Sequence, residues 1–398
     1  MLATAEATRA IRAAMPPAAT ETVPVAQAAG RILRQRVTAE RDQPPFDRVT
    51  MDGIAIAHAG FAAGARRFPV QATQAAGDPA LTLSAGHCIE IMTGASLPDG
   101  ADCIVPVERI TIDGGAATIE AGYAAEPRQF IHGRGSDHRR GTELLTPGTR
   151  ITPMDIAVIS SCGLTEVEVS RRPRVCVIST GNELVPAGEP IAPHQIRLSN
   201  GPALVAMLER HGVTECRHDH IRDEPEVLTE RIGAHLEAAD VLVLSGGVSM
   251  GKADYLPGVL EALGVEVVFH KISQRPGKPM WFGTGPVGQP VFALPGNPVS
   301  TLVCCRQYVL PALDAAAGAR DPAPEFASLA EDVSFAPKLT CFLPARFLSS
   351  VGGPVLAMPV HPNTSGDFAS LSGTDGYVEL PLEQTEFPKG TPLRRYRW

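Results

Sequence analysis

From residue 174 to residue 313 the chain alternates short apolar runs with amphipathic segments, and that alternation restricts the possible folds more than any other feature. Residues 174–179, 240–244, 265–271 and 291–294 read as strands, and 199–211, 225–239, 253–263 and 297–313 read as helices. Run 240–244 (DVLVL) lacks polar alternation, the pattern of a strand buried on both faces of a parallel sheet. Strands alternating with helices predict a doubly wound, mainly parallel α/β domain. Ligands in such domains bind beyond the carboxyl ends of the strands. Three loops fall at that edge: 179–183 (STGNE), 245–251 (SGGVSMG) and 294–298 (LPGNP). Strand, glycine loop and helix start at 240–263 aim backbone N–H groups at one spot, where an anion can bind. Asp254, placed in the first turn of that helix, either complements the helix dipole or shares Mg²⁺ with a loop-bound phosphate. Taken alone, a turn whose glycines only permit tight packing explains this stretch equally well.

The remaining chain is richer in strands and turns. Residues 1–40 read as helical and then extended, with the first helix at 5–15 ended by Pro16-Pro17. Residues 43–55 hold prolines and an Asp52-Gly53 turn signal. Residues 55–140 read as β-rich, with strands at 88–92 and 103–107 and a hairpin at 110–119 turning at Asp113-Gly114. Thr93 lies in the turn-rich loop between the first two, and Asp137 lies among basic groups in 133–149. Residues 151–162 read as a helix closed by Gly163, followed by a strand at 164–169. From about residue 315 short strands return, at 341–347, 355–360 and 377–380, which predicts a small all-β C-terminal domain.

At 398 residues the chain suits two to four domains. The net charge of −8 and the lack of any Lys/Arg-rich run argue against nucleic acid as a partner. No apolar stretch is long enough to span a membrane and no secretory signal is visible, so a cytoplasmic protein is expected. The eight cysteines form no C-x-x-C pair and read as reduced core residues, not metal ligands.

Glu183, Asp223 and Asp254 are carboxylates set after or between elements of the α/β domain, and beside a phosphate they suit Mg²⁺. Lys271, Arg275 and Lys278 place three cations within one proline-bearing segment, suited to phosphates or a tetrahedral oxyanion. Taken singly, each acid also reads as a helix cap and each base as part of a solvated loop. No Ser-His-Asp order, H-E-x-x-H or P-loop is present, which leaves hydrolase and kinase readings without support.

Six motifs, PPFDRVTMDG (44–53), MTGASLPDGAD (92–102), STGNEL (179–184), SGGVSMGKADY (245–255), RPGKP (275–279) and LPGNPVS (294–300), occur in an order and spacing that resemble the molybdopterin molybdenumtransferase family. That family includes the C-terminal part of gephyrin. The resemblance implies a four-domain fold: an elongated linker domain (21–40 and 141–170), a β-rich domain (41–140), a molybdopterin-binding α/β domain (1–20 and 171–317) and a C-terminal β domain (318–398) bordering the cleft. It implies a homodimer whose cleft lies between the α/β domain of one subunit and the β-rich domain of the other. The implied reaction inserts molybdenum from molybdate into adenylylated molybdopterin with Mg²⁺, releasing AMP. A molybdopterin adenylyltransferase and molybdoenzyme chaperones are the implied partners.

By motif, Asp52, Thr93, Asp137, Glu183, Asp223 and Asp254 take catalytic roles. Glu183, Asp223 and Asp254 hold the metal. Ser245, Gly246, Gly247, Ser249, Lys271, Arg275, Lys278, Pro295 and Pro298 bind substrate. The chain departs from the family pattern at Val49 (usually Ser), Ile54 (Tyr), Arg275 (often Lys), and Leu198 and Lys252 (acids). A divergent paralogue that only carries or adenylylates the pterin, or acts as a scaffold, is the alternative, and the intact carboxylates speak against a scaffold.

Overall fold

The computed structural model describes residues 1–247, 255–349, 351–364 and 366–398. It divides into two compact units. The first comprises Met1–Arg34, Pro147–Thr152 and Val167–Trp398, the second Gln35–Thr146 and Pro153–Glu166. The segments 21–40 and 141–170 are divided between the units, and within each they pair with one another: Ile32 with Arg150 and Leu33 with Val169 in the first, Val37–Thr38 with Glu143–Leu145 in the second.

The first unit is built on a six-stranded sheet of Arg174–Thr180, Glu215–Ile221, Val241–Ser245, Glu266–His270, Trp281–Thr284 and Pro290–Leu294. Across the sheet they stand in the order second, first, third, sixth, fifth, fourth. The first four in that order are parallel, and the fifth, Trp281–Thr284, runs antiparallel to both of its neighbours. Successive residues of the central strands enter opposite cores. Val175, Val177, Val241 and Val243 pack with Ala7 and Ile11 of helix Thr4–Ala14 and Leu204 and Leu208 of helix Asn200–Arg210. Cys176, Ile178, Leu242 and Leu244 pack on the other face with Leu228 and Ile232 of helix Pro225–Ala238 and Leu256 and Leu260. Burial on both faces explains the unbroken apolar run at 241–244.

Two strands were not legible. Glu215–Ile221 is an edge strand of mostly polar residues, with Asp219 accepting from His235 Nε2 at 2.7 Å. Trp281–Thr284 is a four-residue antiparallel strand interrupted by a glycine. The helix expected over 253–263 is described as Leu256–Ala262. The one expected over 297–313 runs Pro298–Cys304, widens to a π-turn over Cys305–Val309 and continues as Leu310–Ala316. Pro311 has no N–H to donate and its ring opposes the regular ladder, which accounts for the widening.

Five C-terminal strands, Glu325–Leu329, Thr340–Leu348, Leu356–Pro359, Gly376–Leu380 and Pro392–Arg397, pair around a closed ring, so the all-β domain is a barrel. Gln274–Arg275, from the α/β region, adds to it in parallel, Gln274 opposite Thr340 and Arg275 opposite Cys341.

Asp314 is a clamp of this unit. It accepts from His211 Nε2 at 2.9 Å and pairs with Arg150. Burial pushes its pKa up, but the bonds and charges of His211 and Arg150 outweigh that and hold it below the usual aspartate value. A depressed carboxylate stabilises the fold above its unfolded pKa of about 4 and loses that contribution as pH falls through the folded value. The melting-temperature gap between wild type and Asp314→Asn is therefore expected to be widest near neutral pH and to narrow below about pH 4.

The second unit holds a mixed six-stranded sheet in the order Cys103–Pro106, Gly53–Ile56, Cys88–Ile91, Arg67–Gln74, Ala116–Ile119, Ile110–Asp113. Its last two strands form the expected hairpin. All eight cysteines are free thiols and seven are buried. Burial pushes Cys176 and Cys305 up to about 12, as reduced core residues require. Among the described residues no helix is long and apolar enough to cross a membrane.

Candidate functional site

Ser179, Ser245 and Leu294 lie in one register row across three adjacent parallel strands. The chain order reverses between the strands ending at Thr180 and Ser245, which makes their carboxyl ends the switch point of the sheet. A cleft of about 680 Å³ opens there. Glu183, Asp223, Ser245, Gly246, Gly247, Pro295 and Pro298, seven of the expected residues, all line it. So do Thr180, Asn200, Asn297 and, from the C-terminal segment, Phe368. Ser249 and Asp254 lie outside the described residues, as does Lys252.

Asn200 ties the loops together. Its Nδ2 lies 2.9 Å from Ser245 Oγ, 2.8 Å from the Gly296 carbonyl and 3.3 Å from Thr301 Oγ1. The sequence suggests Ser199 or Asn200 as a helix N-cap. The structure puts Ser199 at the cap without a side-chain bond and uses the Asn200 amide for the site. Its helix-start position masks that role, because Asn is common there for local reasons. Gly246 N–H donates to the Leu294 carbonyl at 3.2 Å, and the Thr301 hydroxyl donates to the Pro295 carbonyl. Asn182 Oδ1 accepts from the Asp223 N–H at 3.1 Å, joining the two acid-bearing loops.

Beneath them, the buried Ser179 hydroxyl pairs with His218 Nε2 at 3.0 Å. Burial pushes the His218 pKa down, so the ring is neutral at pH 7. Ser179→Ala removes that bond and is expected to cost about 0.5–1.5 kcal/mol in urea unfolding.

The basic segment separates into two environments. Arg275 and Lys278 line a second cleft of about 510 Å³ with Ser300, Asn363 and Thr364, and this cleft shares Pro279 and Asn297 with the first. Lys271 is absent from the described lining of both clefts. It has a left-handed backbone, φ 77°, with its N–H bonded to the Met280 carbonyl at 2.9 Å. Gln274, fully buried, anchors the segment through Nε2 to the Pro276 carbonyl at 2.9 Å and through Oε1 to the Tyr308 hydroxyl.

In the second unit, Asp52, Thr93 and Asp137 gather around residues 48–52. Asp52 Oδ1 accepts from the Thr93 N–H at 2.6 Å. That bond, with one from the Thr93 side chain, holds the Asp52 carboxyl below the usual range. Arg48 Nη2 donates to His132 Nδ1 at 3.2 Å, and His132 Nε2 donates to Asp137 Oδ1 at 2.9 Å. Arg48 and His132 were missed. They meet through the pairing of Arg48–Val49 with Ile131–His132, two short strands without a sequence signal of their own.

Three profiles cover most of the chain. Residues 2–163 match the MoeA N-terminal region (domain I and II), 176–315 a probable molybdopterin binding domain, and 327–395 the MoeA C-terminal region (domain IV). A molybdopterin molybdenumtransferase of Synechocystis is 37% identical over 400 residues, covering 100% of both chains. This chain belongs to the molybdopterin molybdenumtransferase family. A second relative of that name, from Synechococcus elongatus, is 35% identical and covers 95% of this chain and 94% of its own. Molybdopterin molybdenumtransferase 2 of Mycobacterium tuberculosis is 34% identical over 94% of each. The molybdopterin biosynthesis moea protein from Pyrococcus horikosii superposes with a TM-score of 0.81 at 32% identity, covering 100% of this chain and 99% of that one.

Against the family pattern, the departures fall in distinct places. Val49 and Ile54 are buried in the apolar cores of the second unit. Leu198 lines the first cleft and Arg275 the second. Arg275 keeps the charge of a lysine but presents a planar fork.

Proposed function

We infer that the chain transfers molybdenum from molybdate to adenylylated molybdopterin, releasing AMP, with Mg²⁺, as a cytoplasmic homodimer. The observation that carries this is the convergence of Glu183, Asp223, the Ser245 loop and the two prolines on one cleft at the switch point of the sheet. At about 680 Å³ it has the volume of a cofactor-sized pocket. Gly246 and Gly247 put no side chain between ligand and backbone, which suits close approach of a phosphate. Pro295 and Pro298 give a rigid apolar wall for a flat ring. Arg275 and Lys278, in the adjoining cleft, supply the positive charge that a molybdate dianion requires.

Two carboxylates in one cleft fit Mg²⁺, which is held by one or two carboxylates together with substrate phosphates and water. Among the described residues no group of three or more His, Cys, Asp or Glu forms a metal cage of its own. Glu183 and Asp223 would hold the ion, and bound there it would neutralise phosphate charge. Asp52, Thr93 and Asp137 of the second unit belong to the same reading. The same proposal includes a four-domain division of the chain and exchange with a molybdopterin adenylyltransferase and molybdoenzyme chaperones, supported by the resemblance of its motifs.

With adenylylated molybdopterin, molybdate and Mg²⁺, the purified chain is expected to release AMP in step with formation of cofactor that activates a cofactor-free molybdoenzyme. Omitting molybdate or chelating Mg²⁺ is expected to stop both. Cofactor formation without AMP release, or neither, would refute the scheme. Light scattering should read twice the 42.0 kDa chain mass.

A further inference from the structure

We propose that Phe368 is a substrate-binding side chain of the first cleft, stacking on a flat heteroaromatic ring of the adenylylated pterin, whether the pterin or the adenine. This rests on the function proposed above. Phe368 and Gly366 line the cleft from the C-terminal segment, far in sequence from the α/β loops that meet there. Phe368 is 49% exposed, so a ligand in the cleft can reach it. A single exposed apolar side chain on a convex surface is ordinary. Phe368 stands instead in a concave cleft with Pro279, Pro295 and Pro298. In such clefts apolar side chains hold the body of a ligand and a few polar groups orient it. Glu183, Asp223 and Asn200 supply the polar groups here.

The turn Phe368–Leu371 is tied down on both sides of the ring. Asp367 Oδ2 accepts from the Asn363 N–H and Nδ2, each at 3.2 Å, and the Asp367 carbonyl accepts from the Ser370 hydroxyl at 2.6 Å. Leu371, 9% exposed, packs on Val299 and Val303 of the helix whose first residue, Pro298, lines the cleft. The turn is thus anchored to the cleft wall and carries Phe368 into the cleft. An aromatic side chain on fixed backbone loses little conformational freedom on binding. Stacking reads the flat face of a ring and not its hydrogen-bonding edge, so it holds either ring while the polar groups set its orientation.

The test separates a ligand role from a structural one. Molybdopterin and AMP serve as separate probes, with binding to the full chain read by calorimetry under anaerobic conditions. Phe368→Ala is expected to raise Kd about 10-fold for the probe whose ring stacks, the scale of losing one ring-on-ring contact. Phe368→Tyr, which keeps the aromatic face, is expected to stay within about 3-fold of wild type. The ligand-free melting temperature of Phe368→Ala is expected to match wild type, since the side chain is half exposed. A weakened Kd for molybdopterin assigns the pterin to Phe368, and one for AMP assigns the adenine. Unchanged binding of both probes by Phe368→Ala would overturn the proposal. So would a fall of that variant to the single-chain mass of 42.0 kDa in light scattering, which would make the side chain a subunit contact. If folded wild type binds neither probe, the cleft assignment itself fails and this inference with it, a result distinct from a loss confined to the variant.

Discussion

Glu183→Gln and Asp223→Asn are each expected to lower kcat/KM for molybdenum transfer by about 10²-fold or more, the scale of losing one charge-stabilising group. Both side chains line the first cleft on loops that follow neighbouring parallel strands. Each amide keeps the shape of its carboxylate and removes the charge. Glu183 folds back over Gly181, where a Cβ would lie 2.7 Å from Oε2. The Asp223 backbone is bonded to Asn182, a contact the substitution leaves in place. Melting temperatures should therefore change little while AMP release falls. Full activity in either variant would remove that acid from the site, and a rise in the Mg²⁺ concentration needed for half-maximal rate would assign it to the ion.

Gly277→Ala is expected to destabilise the chain by about 2–5 kcal/mol in urea unfolding and to impair transfer. Gly277 has φ +95°, and a Cβ there would meet Cys304 Sγ at 2.4 Å and Gln274 Nε2 at 2.6 Å. Neither neighbour has room to yield. Cys304 and Gln274 are fully buried, and Gln274 is held by Tyr308 and the Pro276 carbonyl. The loop must shift instead, and it carries Arg275 and Lys278 on either side. A melting temperature equal to wild type would show that the segment accommodates a methyl group and that its geometry is not set by this contact.

The site was legible where chemistry followed a strand. Three apolar runs of the α/β region, at 174–179, 240–244 and 291–294, end in loops that line the cleft, because parallel strands place their carboxyl-end loops at one edge. Glu183 and the Ser245 loop were found that way, whereas Asp223 follows a strand that has no apolar run. Asn200 was not, since its local signal as a helix start is satisfied without reference to the loops it joins. Lys271 shows the opposite failure. Its charge groups it with Arg275 and Lys278 in sequence, yet a left-handed backbone turn separates it from the cleft they line. Glu215–Ile221 was missed because an edge strand needs no continuous apolar run: Glu215, Arg217 and His218 are exposed, and Asp219 is taken up by His235 of the following helix.

The amino-acid sequence alone determined the layer type, the family and the loops that carry chemistry, because these depend on local periodicity and on motifs complete within a few residues. Tertiary structure decided which loops meet. The placement of the third strand beside the first brings Thr180 against Gly246 and Gly247. The closure of the C-terminal strands into a barrel holds Arg275 in its register. Hydrogen bonds between strands join residues far apart in the chain, and nothing in either strand names its partner.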